Sequence, residues 1–314
     1  MSNKFLNLQT IMKEYERIIA EGIVPADFLK PQMLCDFMVD EKRKKIWALE
    51  IDLLVEFDRV CKKHNLRYYA FGGTILGAVR HNGFIPWDDD IDLAMTMDDY
   101  TKLQEVASDF RKPYTLQTPY LDPGSYFSFM KLRNENTTFM SKVFACQKFN
   151  QGAFIDIFPL VECPPDKLKE QRARLIPLIM KCSNYMKKGC EDLLNDAQLR
   201  RLHEYSTNTP LEDYNNIIKE YNNPAYKDCG FYSHSSFFFR FDEYHFWKKE
   251  LWDNIVYLPF ENITVPVPHG WKEILTEYYG NYMIFPPPEK RISNHADMII
   301  DTEKSYVEYI RKMP

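Results

Sequence analysis

Between residues 44 and 64, Ile46, Leu49, Leu53, Phe57 and Val60 recur every three or four positions, which predicts an amphipathic helix burying one face. Residues 68–71 then read as a short apolar strand stopped by Gly72-Gly73, and residues 74–80 as a second helix. After a loop containing Gly83 and Pro86, alternation predicts a strand over 90–95, followed by a helix over 98–110. Further strands are expected at 114–118, 126–132 and 153–160. Residues 166–221 are rich in Lys and Arg, poor in strand signals and mostly helical in pattern. Strands at 255–259 and 263–267, a helix over 271–279 and a last helix over 302–311 complete the series. Helices before and between the strands of one sheet predict an α+β class, a mixed β-sheet flanked by helices. The expected organisation is an N-terminal helical extension over 1–43, then one domain over 44–314 with a helical insertion at about 164–225.

Composition narrows the field without identifying an activity. The 314 residues are 45% hydrophobic and 27% charged, a balance that builds an ordinary core. Net charge is -5 and basic residues are interspersed with acids, so no basic field recruits nucleic acid. No apolar run reaches the ~20 residues of a membrane-spanning helix, which limits expected bilayer contact to peripheral docking. The opening MSNKFLNLQTIMKEYERIIAEG reads as an amphipathic helix and lacks the continuous apolar stretch of a signal peptide. Seven cysteines without a CxxC pair then predict reduced, mostly buried thiols and a cytoplasmic protein. Dinucleotide-binding and Walker-type phosphate-loop motifs are both missing from the sequence.

The stretch FGGTILGAVRHNGFIPWDDDIDLAM, residues 71–95, concentrates the chemistry. Asp88, Asp89, Asp90 and Asp92 crowd into an apolar strand pattern. Side chains alternate along a strand, so core-facing Ile91 and Leu93 put Asp90 and Asp92 together on the opposite face, with Asp88 in line. Adjacent carboxylates raise each other's pKa unless a cation intervenes. Mg²⁺, or Mn²⁺, carrying a phosphorylated substrate would turn that repulsion into a template for phosphoryl transfer. The alternative is a solvated acidic turn, which apolar Phe84, Ile85, Trp87, Ile91 and Leu93 disfavour. In AFIDIFPLV, Asp156 sits alone between Ile155 and Ile157. It reads as a third metal ligand, as a base for an attacking hydroxyl, or as a structural acid at a strand end.

Gly72 and Gly73 permit close backbone approach to a ligand, the helix after them offers free N–H groups to a phosphate, and Thr74 adds a hydroxyl. Lys131 and Arg133, two apart in FMKLRNENTTF, suit either a grip on phosphates or a charged surface strand. Arg80, Arg291 and His295 are further candidates for phosphate contacts, with snorkelling or capping as the alternative. No two histidines pair like zinc ligands, so a zinc site is not expected.

Together these segments resemble the signature of the LicD family, the cholinephosphotransferases of lipopolysaccharide and teichoic acid. The likeness rests on GGTILGAVRHNGFIPWDDDIDLAM, FMKLRNENTTF, GAFIDIFPLV and ITVPVPHGWKEILTEYYGNYMIFPPPEKR, in that order, with His295 beyond. The chain is also similar to the catalytic domains of fukutin and fukutin-related protein, which implies a nucleotidyltransferase-like fold. The resemblance implies that Gly72, Gly73 and Thr74 bind substrate, and that Asp90 and Asp92 hold metal with Asp156 from a later strand. It implies a CDP-activated donor, CDP-choline first, a glycan or glycolipid acceptor assembled at the cytoplasmic membrane face, and CMP as product. CDP-glycerol, CDP-ribitol and CDP-ethanolamine stay open as donors. For phosphocholine, Trp87, Tyr232, Tyr279 and Tyr282 are candidates for an aromatic cage around the quaternary ammonium. The chain departs from the family pattern at Val161, Asn262 and Asn281, none of them a presumed metal ligand. Two other classes stay open: an enzyme adding NMP from an NTP to a small molecule or protein, and a catalytically silent glycan-binding protein on the same fold.

Overall fold

The ten-residue strand Ala153–Glu162 organises the fold, and its length explains how. One edge pairs in parallel with Asp92–Thr96, running from Asp92 opposite Asp156 to Thr96 opposite Leu160. The other edge is shared between two antiparallel partners, Met130–Asn134 against residues 153–157 and Phe231–His234 against residues 160–162. Tyr69–Ala70, Tyr114–Gln117 and Phe246–Lys248 extend these partners and complete seven strands. The computed structural model describes residues 14–234, 245–293, 295 and 297–311, and its mixed sheet flanked by helices is the α+β architecture that the patterning predicts.

The two faces of the sheet have different company. Leu93, Met95, Leu132, Ile155 and Ile157 share one core with Ile46, Leu49, Leu53 and Phe57 of the helix Glu41–Lys63. Each such side chain, fully buried, contributes roughly 1.5–3 kcal/mol. On the opposite face, Tyr69, Ala94, Phe158 and Leu160 join Tyr232, Trp247 and Trp252 in a smaller aromatic cluster. Alternation along the paired strands puts Asp92, Asp156 and Lys131 on this second face.

Three expectations need correction. The N-terminal extension is helical only at Glu14–Ala20 among its described residues, and residues 1–13 of the expected helix lie outside them. A hairpin of Gln32–Leu34 and Phe37–Val39 follows, turned by Cys35 and Asp36 at positive φ. Three-residue strands carry too little alternation to be read from pattern. The helical excursion is made of Leu168–Tyr185, Asp196–Glu204 and Pro210–Tyr221; it joins the main core through Leu175, Ile179, Tyr214 and Tyr221, while its Leu168 sits in a small cluster with Cys163 and Tyr226. It also returns Cys190 to Cys146, and the two form a disulfide with Cα atoms 5.9 Å apart, so only Cys35, Cys61, Cys163, Cys182 and Cys229 are free. Finally, the last expected helix is a single short turn at Tyr306–Glu308, because the Tyr306 and Arg311 amides donate to Thr137 O and Ala145 O instead of to helical neighbours. Among the described residues no helix is long and apolar enough to cross a membrane.

Candidate active site

The strand Tyr69–Ala70 leads through Phe71 into the helix Gly72–His81, and this junction is bonded to the start of Asp92–Thr96. The Phe71 amide donates to Asp92 O at 2.8 Å, and the Asp92 amide donates to Thr74 Oγ1 at 2.8 Å. Gly72 has φ +50, and a Cβ there would stand 3.0 Å from Asp92 Oδ2; one on Gly73 would stand 2.9 Å from Asp88 Oδ2. The two glycines therefore let a helix N-terminus, with amides that have no intrahelical acceptor, stand directly beside two carboxylates. Thr74, expected to touch substrate, braces Asp92.

Asp156 faces Asp92 across the parallel pair, and its amide donates to Ile91 O at 2.9 Å. Residues 88–91 are loop, since the strand begins only at Asp92. Even so, Asp88 and Asp90 share a hydrogen bond, whereas Asp89 turns away to accept from Ser293 Oγ and to meet His295 Nδ1 at 3.0 Å. The loop is held from the helix Glu41–Lys63: Arg43 Nη1 and Trp47 Nε1 both donate to Asp88 O, at 2.8 and 2.9 Å.

Asp88, Asp90 and Asp92 keep part of their surface open but lie deep among protein atoms. Burial, then mutual repulsion, pushes Asp88 and Asp92 well above the usual carboxylate range. Burial raises Asp90 as well, opposed by His295 and the Asp88 hydrogen bond. Asp89 is different: burial works to raise it, but the bonds from His295 and Ser293 hold it below its ordinary value. One cation does enter the cluster from the fold itself, the Lys131 ammonium bonded to Asp156. Burial lowers Lys131 to about 8 against the pull of Asp156.

The remaining candidates divide. Arg133 is buried and gives its guanidinium to Gln117 Oε1 and Gly152 O, at 2.6 and 2.7 Å, so the expected two-residue phosphate grip reduces to Lys131. Arg80 and Arg291 lie over the Trp87 ring, 5.9 and 5.1 Å from its centroid, and both also face Phe285. Arg80 donates to Tyr282 O and Arg291 to Cys35 O, so the loop after the helix Trp271–Tyr279 is tied to the helix Gly72–His81 by the first and to the hairpin by the second. The expected aromatic cage is not assembled: Trp87 already carries arginines, Tyr232 belongs to the aromatic cluster, and Tyr279 packs on Tyr278. Tyr282 packs on the main core.

Four contributors escaped the sequence reading: Arg43, Trp47, the Asp89–His295 pair and Glu50. Arg43, Trp47 and Glu50 follow each other at helical spacing on the side that holds the acidic loop. Glu50 is 0% exposed, neither carboxylate oxygen has a hydrogen-bond partner, and burial, then Asp90, raises it well above its ordinary value. A carboxylate inside an apolar helical stripe was the available signal, the helical counterpart of Asp156 between two isoleucines.

An all-oxygen set short of positive charge suits a hard divalent cation. Among the described residues no three His, Cys, Asp or Glu side chains are already gathered around one point, so the acids stand as an uncompensated group and not as a formed cage.

Residues 65–172 match the family model described as LicD/FKTN/FKRP, nucleotidyltransferase domain. The chain is 27% identical over 263 residues to the lipopolysaccharide cholinephosphotransferase LicD of Haemophilus influenzae, covering 78% of this chain and 92% of that protein. It is 38% identical over 47 residues to the ribitol 5-phosphate transferase FKRP of Homo sapiens, 15% of this chain and 10% of that protein. An uncharacterized protein of Rickettsia prowazekii, RP689, is 38% identical over 60 residues, 19% of this chain and 23% of that protein.

Proposed function

We propose, from the premise that residues 65–172 belong to the LicD/FKTN/FKRP family as its nucleotidyltransferase domain, that this chain moves a substituted phosphoryl group, phosphocholine first, from a CDP-activated donor. The acceptor is a hydroxyl of a cell-surface glycan or glycolipid precursor, and CMP leaves. The observation that carries this reading is the parallel register that sets Asp92 against Asp156, with Asp90 and Asp88 near enough to raise Asp92 by repulsion.

Asp90, Asp92 and Asp156 would hold a divalent cation, Mg²⁺ or Mn²⁺, which supplies charge neutralisation for a diphosphate. The Gly72 and Gly73 amides donate to phosphate oxygens at a helix N-terminus that stands against Asp92 and Asp88 because neither residue has a Cβ. Lys131 leaves its pairing with Asp156 to share the donor's negative charge. Asp156, so released, accepts the proton of the attacking hydroxyl. Positioning and electrostatics then do most of the work, as phosphoryl transfer generally requires.

Purified protein incubated with Mg²⁺, CDP-choline and a glycan acceptor should release CMP only when acceptor is present. Asp92→Asn should lower that rate by about a hundred- to a thousandfold, the range of lost electrostatic stabilisation at a reacting centre. Undiminished release in Asp92→Asn would overturn the assignment, and pyrophosphate from an NTP as the product would favour nucleotidyl transfer instead.

A further inference from the structure

A fully buried carboxyl with two unbonded oxygens is an anomaly that calls for a ligand. Glu50 is such a group: its side chain is 0% exposed and both Oε atoms lack partners. Burying a polar group without compensation is costly, and buried groups are nearly always bonded. Glu50 is placed by its helix. Arg43 and Trp47, seven and three residues earlier, both donate to the Asp88 carbonyl, so one side of the helix runs along the acidic loop and Glu50 continues it by one turn. After burial, the largest electrostatic influences on it come from Asp90, Asp89, Asp88 and Asp156, all acids. Repulsive neighbours alone give no reason to keep a carboxyl there.

We propose that Glu50 is a positioning residue of the cation site: from behind the acidic loop, its oxygens accept hydrogen bonds from water bound to the divalent ion held by Asp90, Asp92 and Asp156. This rests on the cation reading above and extends it to a fourth carboxyl supplied by a helix. Outer groups of this kind orient ion-bound water and ligands, and their loss weakens ion affinity by about 10–100-fold.

The test is Mn²⁺ titration by calorimetry on the unsubstituted chain, Glu50→Leu and Glu50→Gln, with urea unfolding of each in the absence of ion. Glu50→Leu should lose about 10–100-fold in Mn²⁺ affinity and unfold at the same or a higher urea concentration, because an unpartnered polar group has been removed from the interior. Glu50→Gln keeps an acceptor oxygen of the same reach and should restore most of the affinity. Unchanged Mn²⁺ affinity in Glu50→Leu, or destabilisation without loss of affinity, would overturn the inference and leave the cation site standing. Should the unsubstituted chain take up no Mn²⁺, the cation reading falls and this inference with it.

Discussion

Two sets of acids are buried in this molecule, and the helix Glu41–Lys63 carries members of both. Asp52 and Glu56 are 1% and 2% exposed, and each is met by the fold's own donors. Arg17 and Tyr114 bond Asp52, at 2.6 and 2.7 Å, and Arg59 and Arg111 bond Glu56. Burial works to raise Glu56, yet its arginines hold it at about 2. Glu50, earlier on the same helix, has no such partner, and Asp88, Asp90 and Asp92 have chiefly one another. The burial of an acid therefore says little about its role. What separates the two sets is whether the chain provides the positive charge: compensated acids hold elements together, and the uncompensated ones are those to which the proposed function assigns a cation.

The contrast breaks most visibly under added cation. At about a hundred times its dissociation constant, Mn²⁺ should stabilise the folded chain by about 2.7 kcal/mol, read as a concentration-dependent rise in thermal midpoint. Asp92→Asn should lose that rise and Glu56→Gln should keep it. A full rise in Asp92→Asn would put the ion elsewhere.

The compensated set responds to a smaller lever. Glu56→Gln should cost about 2 kcal/mol in urea unfolding at neutral pH, within the range for hydrogen bonds to charged groups. Deep ion pairs cost more when broken, but the Arg111 and Arg59 side chains are 67% and 34% exposed, and solvent screens them. The pH dependence has a definite sign. Glu56 is held at about 2 in the folded chain, below the ~4.3 of an unfolded glutamate. Its contribution is therefore complete above about pH 4.5 and fades as pH falls towards 2. Glu56→Gln and the parent should converge in stability over that interval. A gap that persists unchanged at pH 2 would show that packing, not charge, makes the difference.

Much of the fold was legible because it is periodic. The helix at 41–63, the strands at 92–96 and 153–162, and the hairpin at 255–268 all follow from spacing alone. The acids were legible for a related reason: Asp92 and Asp156 put a charge between apolar strand residues, and a charge inside an apolar run is conspicuous. The environment of each charge was not. Lys131 and Arg133 have the same same-face pattern, but one reaches Asp156 and the other is consumed by Gln117 and Gly152 O, a difference made by residues far away in sequence. Trp87 reads as a free aromatic until Arg80 and Arg291 arrive from separate segments. Glu50 was hidden because a helical stripe tolerates a polar position more often than a buried strand does.

The smallest test isolates what compensation consists of. At Asp52, Arg17 Nη2 donates both to the carboxylate and to Tyr114 Oη, the latter at 3.0 Å, while the Tyr114 hydroxyl donates to the same carboxylate. Tyr114→Phe removes one donor and leaves the charge pair intact, so it should cost only about 1 kcal/mol in urea unfolding. Arg17→Met should cost more, because it leaves Asp52 buried with the Tyr114 hydroxyl and without its opposite charge. If the two substitutions cost the same, hydrogen bonding rather than opposite charge is what distinguishes the compensated acids. The acidic loop would then need donors such as water or amide as much as it needs a cation.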